Sequence, residues 1–118
     1  CEPERADDAF RSLSSGQLQT QESSDTIADG LRASLSPRTF AILRNYVDAI
    51  ILVSEDEIRS AARLVAERMK LIIEPSSSIA LAPLLRAEGV RVLSLPARSD
   101  GKPLKIGVIF SGGNVDLT

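Results

Sequence analysis

The segment Ala49-Ile50-Ile51-Leu52-Val53-Ser54-Glu55-Asp56-Glu57-Ile58 holds the change of pattern that decides the fold. Ala49 to Val53 is an unbroken apolar run, as expected of a strand buried on both faces of a parallel sheet. The run ends at Ser54, which forms a capping box with Glu57, while Glu55 and Asp56 add negative charge at the positive end of a helix dipole. The spacing predicts a helix after this cap that buries Ile58, Ala61, Ala62, Val65 and Met69.

Upstream, Ser36-Pro37 supplies an N-cap followed by proline at the first helical position, and Phe40, Leu43 and Val47 recur at helical spacing. A short helix over Pro37 to Tyr46 is expected. Gly16 to Asp25 turns to Gln, Ser and Thr and reads as a surface loop that sets the acidic opening apart. Downstream, Leu71, Ile72 and Ile73 lead to Glu74-Pro75, again with proline suited to a helix start. The apolar segment Ile79 to Leu85 then predicts an internal helix running to the stop signal Gly89, kinked or shortened at Pro83, which lacks the N–H that Ile79 would accept. After a loop rich in Pro, Arg and Gly, Lys105 to Phe110 predicts a second buried strand, ending at Ser111-Gly112-Gly113-Asn114.

The order strand, helix, helix, strand defines an α/β class, with residues 1–118 as part of one domain. Continuous apolar strands need helices on both faces and neighbours on both edges, so both strands are expected to pair with strands outside this chain.

Composition narrows the function. The chain has 118 residues, 43% hydrophobic and only 3% aromatic, enough for an aliphatic core. The formal charge of −2, with no basic stripe, argues against nucleic acid as a partner. No apolar run approaches the roughly 20 residues that cross a bilayer, so no membrane partner is expected. A single cysteine, Cys1, excludes an internal disulfide and fits a reducing, cytoplasmic setting. The absence of histidine removes the commonest general base and every Ser-His or Cys-His pair, and leaves no zinc site of the usual kind. The opening Cys-Glu-Pro-Glu-Arg is no signal peptide and lacks Met, so the chain is expected to begin within a longer protein.

The sharpest chemical signal is Ser111-Gly112-Gly113-Asn114-Val115-Asp116-Leu117 directly after an apolar strand, because open α/β sheets bind ligands at the carboxyl ends of their strands. By residue type alone, Ser-Gly-Gly-Asn is an ordinary strand-to-loop turn, Glu74 a first-turn carboxylate, and Asp29-Gly30 turn chemistry. Glu2, Ala6 and Asp8 could offer two carboxylates and a backbone carbonyl, hard donors suited to Mg²⁺ or Ca²⁺, although acidic residues in such a place are ordinarily just solvated.

Taken together, four segments resemble one family. Thr26-Ile27-Ala28-Asp29-Gly30, Val53-Ser54-Glu55-Asp56-Glu57-Ile58, Met69-Lys70-Leu71-Ile72-Ile73-Glu74-Pro75 and Ser111-Gly112-Gly113-Asn114-Val115-Asp116-Leu117 are similar, in order and rough spacing, to serine racemases and threonine dehydratases. Glu2-Pro3 with Ala6-Asp7-Asp8 is similar to the serine racemase branch in particular. The likeness covers nearly the whole chain, with Val92 to Leu104 least alike. Where this chain has Ser77, Ser78 and Pro83, the family commonly has Gly or Ala, so the helix after Glu74 is expected to pack differently.

The resemblance implies part of the large domain of a fold-type II pyridoxal-phosphate enzyme, a parallel-rich sheet flanked by helices and incomplete without an N-terminal half. It implies that Ser111 meets the pyridine nitrogen of pyridoxal 5'-phosphate. A neutral hydroxyl there moderates the electron sink that a carboxylate would make strong, which suits β-elimination and racemisation of hydroxy-amino acids. It also places Glu74, Gly30 and Gly112 close to the ring, Asp29 toward the amino-acid substrate and Asn114 toward a nucleotide site. Glu2, the Ala6 carbonyl and Asp8 would hold Mg²⁺, or Ca²⁺ or Mn²⁺. No catalytic residue is expected in this chain, since the lysine that carries the cofactor lies in the N-terminal segment, its expected partner, and the whole is expected to be a homodimer. The activity implied is serine or threonine ammonia-lyase, serine racemase, or both. The competing class is a non-catalytic, truncated module that binds a metal or another protein.

Overall fold

The computed structural model describes residues 1–21, 24–88 and 100–116. The apolar run at the centre forms a strand, β2 (Leu52–Val53), shorter than the run itself. Its neighbour comes from this chain. Glu2–Pro3 (β1) pairs with it in parallel, Glu2 opposite Leu52 and Pro3 opposite Val53, so the expectation that every partner lies elsewhere is corrected. The Glu2 N–H donates to the Ile51 carbonyl and the Glu4 N–H to the Val53 carbonyl, both at 3.0 Å. Leu52's carbonyl points to the other edge, where Arg86 Nη2 donates to it at 2.7 Å. A guanidinium thus covers backbone that a further strand would otherwise pair.

The Ser54 capping box forms as read: Ser54 Oγ accepts the Glu57 N–H at 3.4 Å, and Glu57 Oε2 accepts the Ser54 N–H at 2.9 Å. The helix it starts is long, and we label it α3 (Glu55–Met69). Its buried face is Ile58, Ala61 and Val65. Ala62 is only half-buried and Met69 is 52% exposed, against expectation, because Met69 is the helix's last residue and α3 outruns what packs on it.

Three further helices complete the described fold: α1 (Asp8–Ser15), α2 (Pro37–Tyr46) and the single turn α4 (Pro75–Ser78). The α2 boundaries match the expected ones, and Ser36 caps it by accepting the Thr39 N–H at 3.1 Å. The expected continuous helix to Leu85 is broken: α4 ends at Ser78, and a 3₁₀ turn follows at Ala82–Leu85 with Pro83 inside it. Proline's missing donor is the physical reason, and the segment stays largely internal, with Ile79, Ala82 and Pro83 buried but Leu85 46% exposed. The stop signal Gly89 lies outside the described residues.

Lys105 to Phe110 forms no ladder among the described residues. Its residues alternate between exposed and half-buried, so the burial expected of a second strand is not reached among the described residues, and the strands to pair with it are expected from outside this chain. The core gathers Ala28, Val53, Ile58, Ala61, Ile79 and Ala82, with Ile27, Leu31 and Leu81 packed against it. It places α4 and the turn at Asp29–Leu31 together at one side of α3. No described helix is long and apolar enough to cross a membrane.

Candidate functional site

The site grows from the first turn of α4. Glu74 is its N-cap and Pro75 its first residue, so the chain enters the turn with an extended backbone and the Glu74 N–H facing outward from the helix. That N–H donates to the Gly112 carbonyl at 3.0 Å. The Glu74 carboxylate lies beside Gly112: a Cβ there would come within 2.5 Å of Glu74 Cδ and Oε2. A side chain at residue 112 would have to push the carboxylate aside. Glu74 Oε2 also accepts the Asn114 N–H, at 3.4 Å.

The next three residues hold the flanking segments. Ser76 Oγ accepts the Gly30 N–H at 2.9 Å and donates to Asp29 Oδ1 at 3.3 Å. A Cβ on Gly30 would lie 3.0 Å from that same Oγ. Ser77 Oγ accepts the Ser111 N–H at 2.8 Å, and the Ser78 hydroxyl lies 3.1 Å from the Ile58 carbonyl of α3 and 2.9 Å from that of Pro75. Beside these contacts a cleft of about 370 Å³ opens, lined in part by Asp29, Arg32, Pro75 and Asn114. Arg32 is anchored there by two bonds to the Thr26 carbonyl, at 3.0 and 2.6 Å.

The structure therefore brings Gly30, Glu74, Ser111 and Gly112 to one place, with Asp29 and Asn114 at its border. Ser111 is exposed on the surface of this chain. Ser76 was not singled out by the sequence, and Ser77 and Ser78 stood out only as departures. Three hydroxyls in a row directly after Glu-Pro were the available signal, since side-chain oxygens in a first helical turn readily bond nearby backbone.

Glu2, Ala6 and Asp8 sit elsewhere, Glu2 in β1, Asp8 at the start of α1 and Ala6 between them. All three are buried. Glu2 Oε1 accepts the Ala9 N–H at 3.0 Å and Oε2 the Phe10 N–H at 2.7 Å, so this carboxylate caps α1, whose own N-cap Asp7 makes no capping bond and pairs instead with Arg11 Nε at 2.8 Å. Asp8 Oδ2 accepts the Leu35 N–H at 2.7 Å. Burial pushes the Glu2 carboxyl above its ordinary range, the Phe10 and Ala9 amides pull it back, and the charges of Asp8 and Asp7 push it up again. Among the described residues no group of three or more His, Cys, Asp or Glu side chains is arranged to hold a metal.

Gly30, Glu74, Ser111 and Gly112 thus meet at the first turn of α4 in an α/β frame. Residues 1–94 match the model of the pyridoxal-phosphate-dependent enzyme family, and the chain belongs to that family. Within it, the chain is 49% identical over 119 residues to the serine racemase of Dictyostelium discoideum, covering 99% of this chain and 34% of that protein. It is 38% identical to the β-hydroxyaspartate dehydratase of Paracoccus denitrificans, over 98% of this chain and 34% of that one. Among solved structures, the Dictyostelium serine racemase superposes with a TM-score of 0.80 at 47% identity, over 98% of this chain and 34% of that one. The T.th. threonine deaminase superposes with a TM-score of 0.81 at 39% identity, over 99% of this chain and 39% of that one. The fold is that of these enzymes. The chain spans about a third of the length of the curated relatives it matches.

Proposed function

We propose that this chain is the C-terminal part of the catalytic domain of an enzyme that uses pyridoxal 5'-phosphate on hydroxy-amino acids, as a serine or threonine ammonia-lyase, a serine racemase, or both. The observation that carries this reading is the convergence of Ser111 and Gly112 with Glu74 and Gly30 on one turn of helix.

When bound, the cofactor supplies an electron sink that stabilises negative charge at the substrate's α-carbon. This chain's part is to hold and orient. The Ser111 hydroxyl offers a neutral donor to the pyridine nitrogen, moderating the sink in favour of elimination and racemisation. Gly112 and Gly30 keep side chains out of the ring's space, Glu74 lines it, Asp29 faces the substrate, and Asn114 borders a nucleotide site. The lysine that carries the cofactor comes from an N-terminal segment, the proposed partner, and the assembled enzyme is a homodimer. Met69, Leu71, Ile72 and Ile109, which are 52%, 47%, 53% and 80% exposed, support a surface meant to be covered. A cytoplasmic setting is part of the same proposal, supported by Cys1 as the chain's single, free thiol.

Glu2, the Ala6 carbonyl and Asp8 are proposed to hold Mg²⁺, or Ca²⁺ or Mn²⁺, in a stabilising role away from the ring. Two buried carboxylates that repel each other and still have unused lone pairs support this donor set.

The test is reconstitution with the N-terminal segment and pyridoxal 5'-phosphate. A bound cofactor with visible absorbance is expected, with a changed spectrum in Ser111→Asp. No cofactor binding, together with a monodisperse folded monomer of this chain alone, would support the non-catalytic module instead.

A further inference from the structure

Ser76, Ser77 and Ser78 each grip a different segment: the Asp29-Gly30 turn, the end of the Lys105–Phe110 stretch, and α3. Ser77 and Ser78 are almost fully buried, at 1% and 0% exposure. Such hydroxyls are fixed by their packing, and their bonds constrain what they touch.

The grip on Ser111 has a particular consequence. Among the described residues the stretch before it makes no ladder, and the residue-111 amide bonds to a side chain of α4 instead. What fixes it is Ser77 Oγ at 2.8 Å, and one residue further on Glu74 N–H holds the Gly112 carbonyl at 3.0 Å. Ser111 is thus held on both sides by the first turn of α4. Beyond it, Gly112 and Gly113 permit backbone rotation that other residues resist, so the bonds to α4 are the restraint this segment has among the described residues.

We infer that Ser77 is a positioning residue for Ser111: its buried oxygen holds the residue-111 amide so that the Ser111 hydroxyl is presented to the pyridine nitrogen, while Ser78 braces the same turn against α3. This rests on the reading of Ser111 as the ring-nitrogen partner. Ser77 itself touches neither cofactor nor substrate in this role.

The experiment uses the enzyme assembled from both segments, in the variants Ser77→Ala, Ser77→Cys, Ser111→Ala and Ser77→Ala/Ser111→Ala. Apoenzyme is titrated with pyridoxal 5'-phosphate, following affinity and the absorbance of the bound cofactor, and amide hydrogen exchange is followed at residue 111. Loss of one such bond should weaken binding about two- to tenfold. Ser77→Ala is expected to move the absorbance in the same direction as Ser111→Ala, to speed exchange at residue 111, and to add nothing in the Ser111→Ala background. Ser77→Cys, isosteric with a weaker acceptor, should fall between Ser77→Ala and the native enzyme, and decides the matter if Ser77→Ala does not fold.

Equal weakening of binding in both backgrounds overturns the inference, since Ser77 would then act independently of Ser111. So does an unchanged affinity and spectrum in the Ser77 variants while Ser111→Ala changes both. If Ser111→Ala alone leaves affinity and spectrum unchanged, the ring-nitrogen reading fails, and the role of Ser77 falls with it.

Discussion

The Glu74 carboxylate occupies the space where a side chain on Gly112 would begin: its Cδ lies 2.5 Å from an ideal Cβ there, while the Glu74 N–H is bonded to the Gly112 carbonyl at 3.0 Å. One residue therefore meets the same glycine with backbone and side chain. Gly112→Ala must displace the carboxylate, which is the mobile end of its side chain, so the protein should still fold, at a cost of about 1–3 kcal/mol. The steric share of that cost should vanish in Glu74→Ala. A double-mutant cycle by urea unfolding of the assembled enzyme measures it, and strictly additive effects would show that the two side chains do not collide.

A second prediction concerns acid. Glu57 accepts from Arg86 Nε at 2.6 Å and Nη2 at 3.1 Å, and this pairing, with the Ser54 bonds, holds its carboxyl down at about 2 against an ordinary value of 4.5. A depressed carboxylate stabilises the fold above its unfolded pKa, and the contribution is lost as pH falls toward the folded one. Between pH 4.5 and about 2, then, the native protein should lose stability more steeply than Glu57→Gln does. Thermal melts across that window provide the comparison; parallel curves would mean that Glu57 does not titrate with folding.

The Ser54→Ala variant tests the cap that opened the sequence reading. Loss of an N-cap hydroxyl costs about 1 kcal/mol. Here the Ser54 hydroxyl also donates to Glu57 Oε2 at 2.9 Å, the oxygen that accepts Arg86 Nη2. Ser54→Ala and Arg86→Met should therefore be coupled when urea unfolding of the single and double variants is compared. Full additivity would show that the cap and the ion pair are separate.

The parts of this fold that were legible are those set by neighbouring residues. Ser54 with Glu57, Ser36 with Pro37, and Glu74 with Pro75 each declare a helix start through backbone chemistry that needs no distant partner. The parallel pairing of Glu2–Pro3 with Leu52–Val53 was not legible, because the two-residue strand β1 carries no alternation and its partner lies far along the chain. Helix α1 escaped for a related reason: its cap is Glu2, reaching in from β1 instead of from the N-cap position. At the site, Gly30, Glu74, Ser111 and Gly112 were indicated by resemblance, while by residue type each was an ordinary turn or cap. Their convergence depends on bonds across many residues, such as Gly30 to Ser76 and Ser111 to Ser77, and no local pattern encodes those.

The last prediction follows from Asp8, which is 2% exposed and accepts the Leu35 N–H at 2.7 Å. Removing it has two separable effects. Asp8→Ala leaves a backbone donor without that acceptor and should cost about 1–3 kcal/mol whether or not a cation is present. If Asp8 also binds a divalent cation with Glu2 and the Ala6 carbonyl, the native protein should be stabilised by roughly 2.7 kcal/mol at a free cation concentration about a hundred times its Kd, and Asp8→Ala should lose that response. Asp8→Asn, which keeps an acceptor for Leu35 but carries no charge, separates the two effects: it should retain most of the stability seen in chelator while responding little to Mg²⁺. Melting curves in chelator and in Mg²⁺ for the three proteins decide the question. A native protein whose melting is the same in both leaves Glu2 and Asp8 with the roles seen in the structure, capping α1 and anchoring the chain at Leu35, and removes the cation from the proposed function.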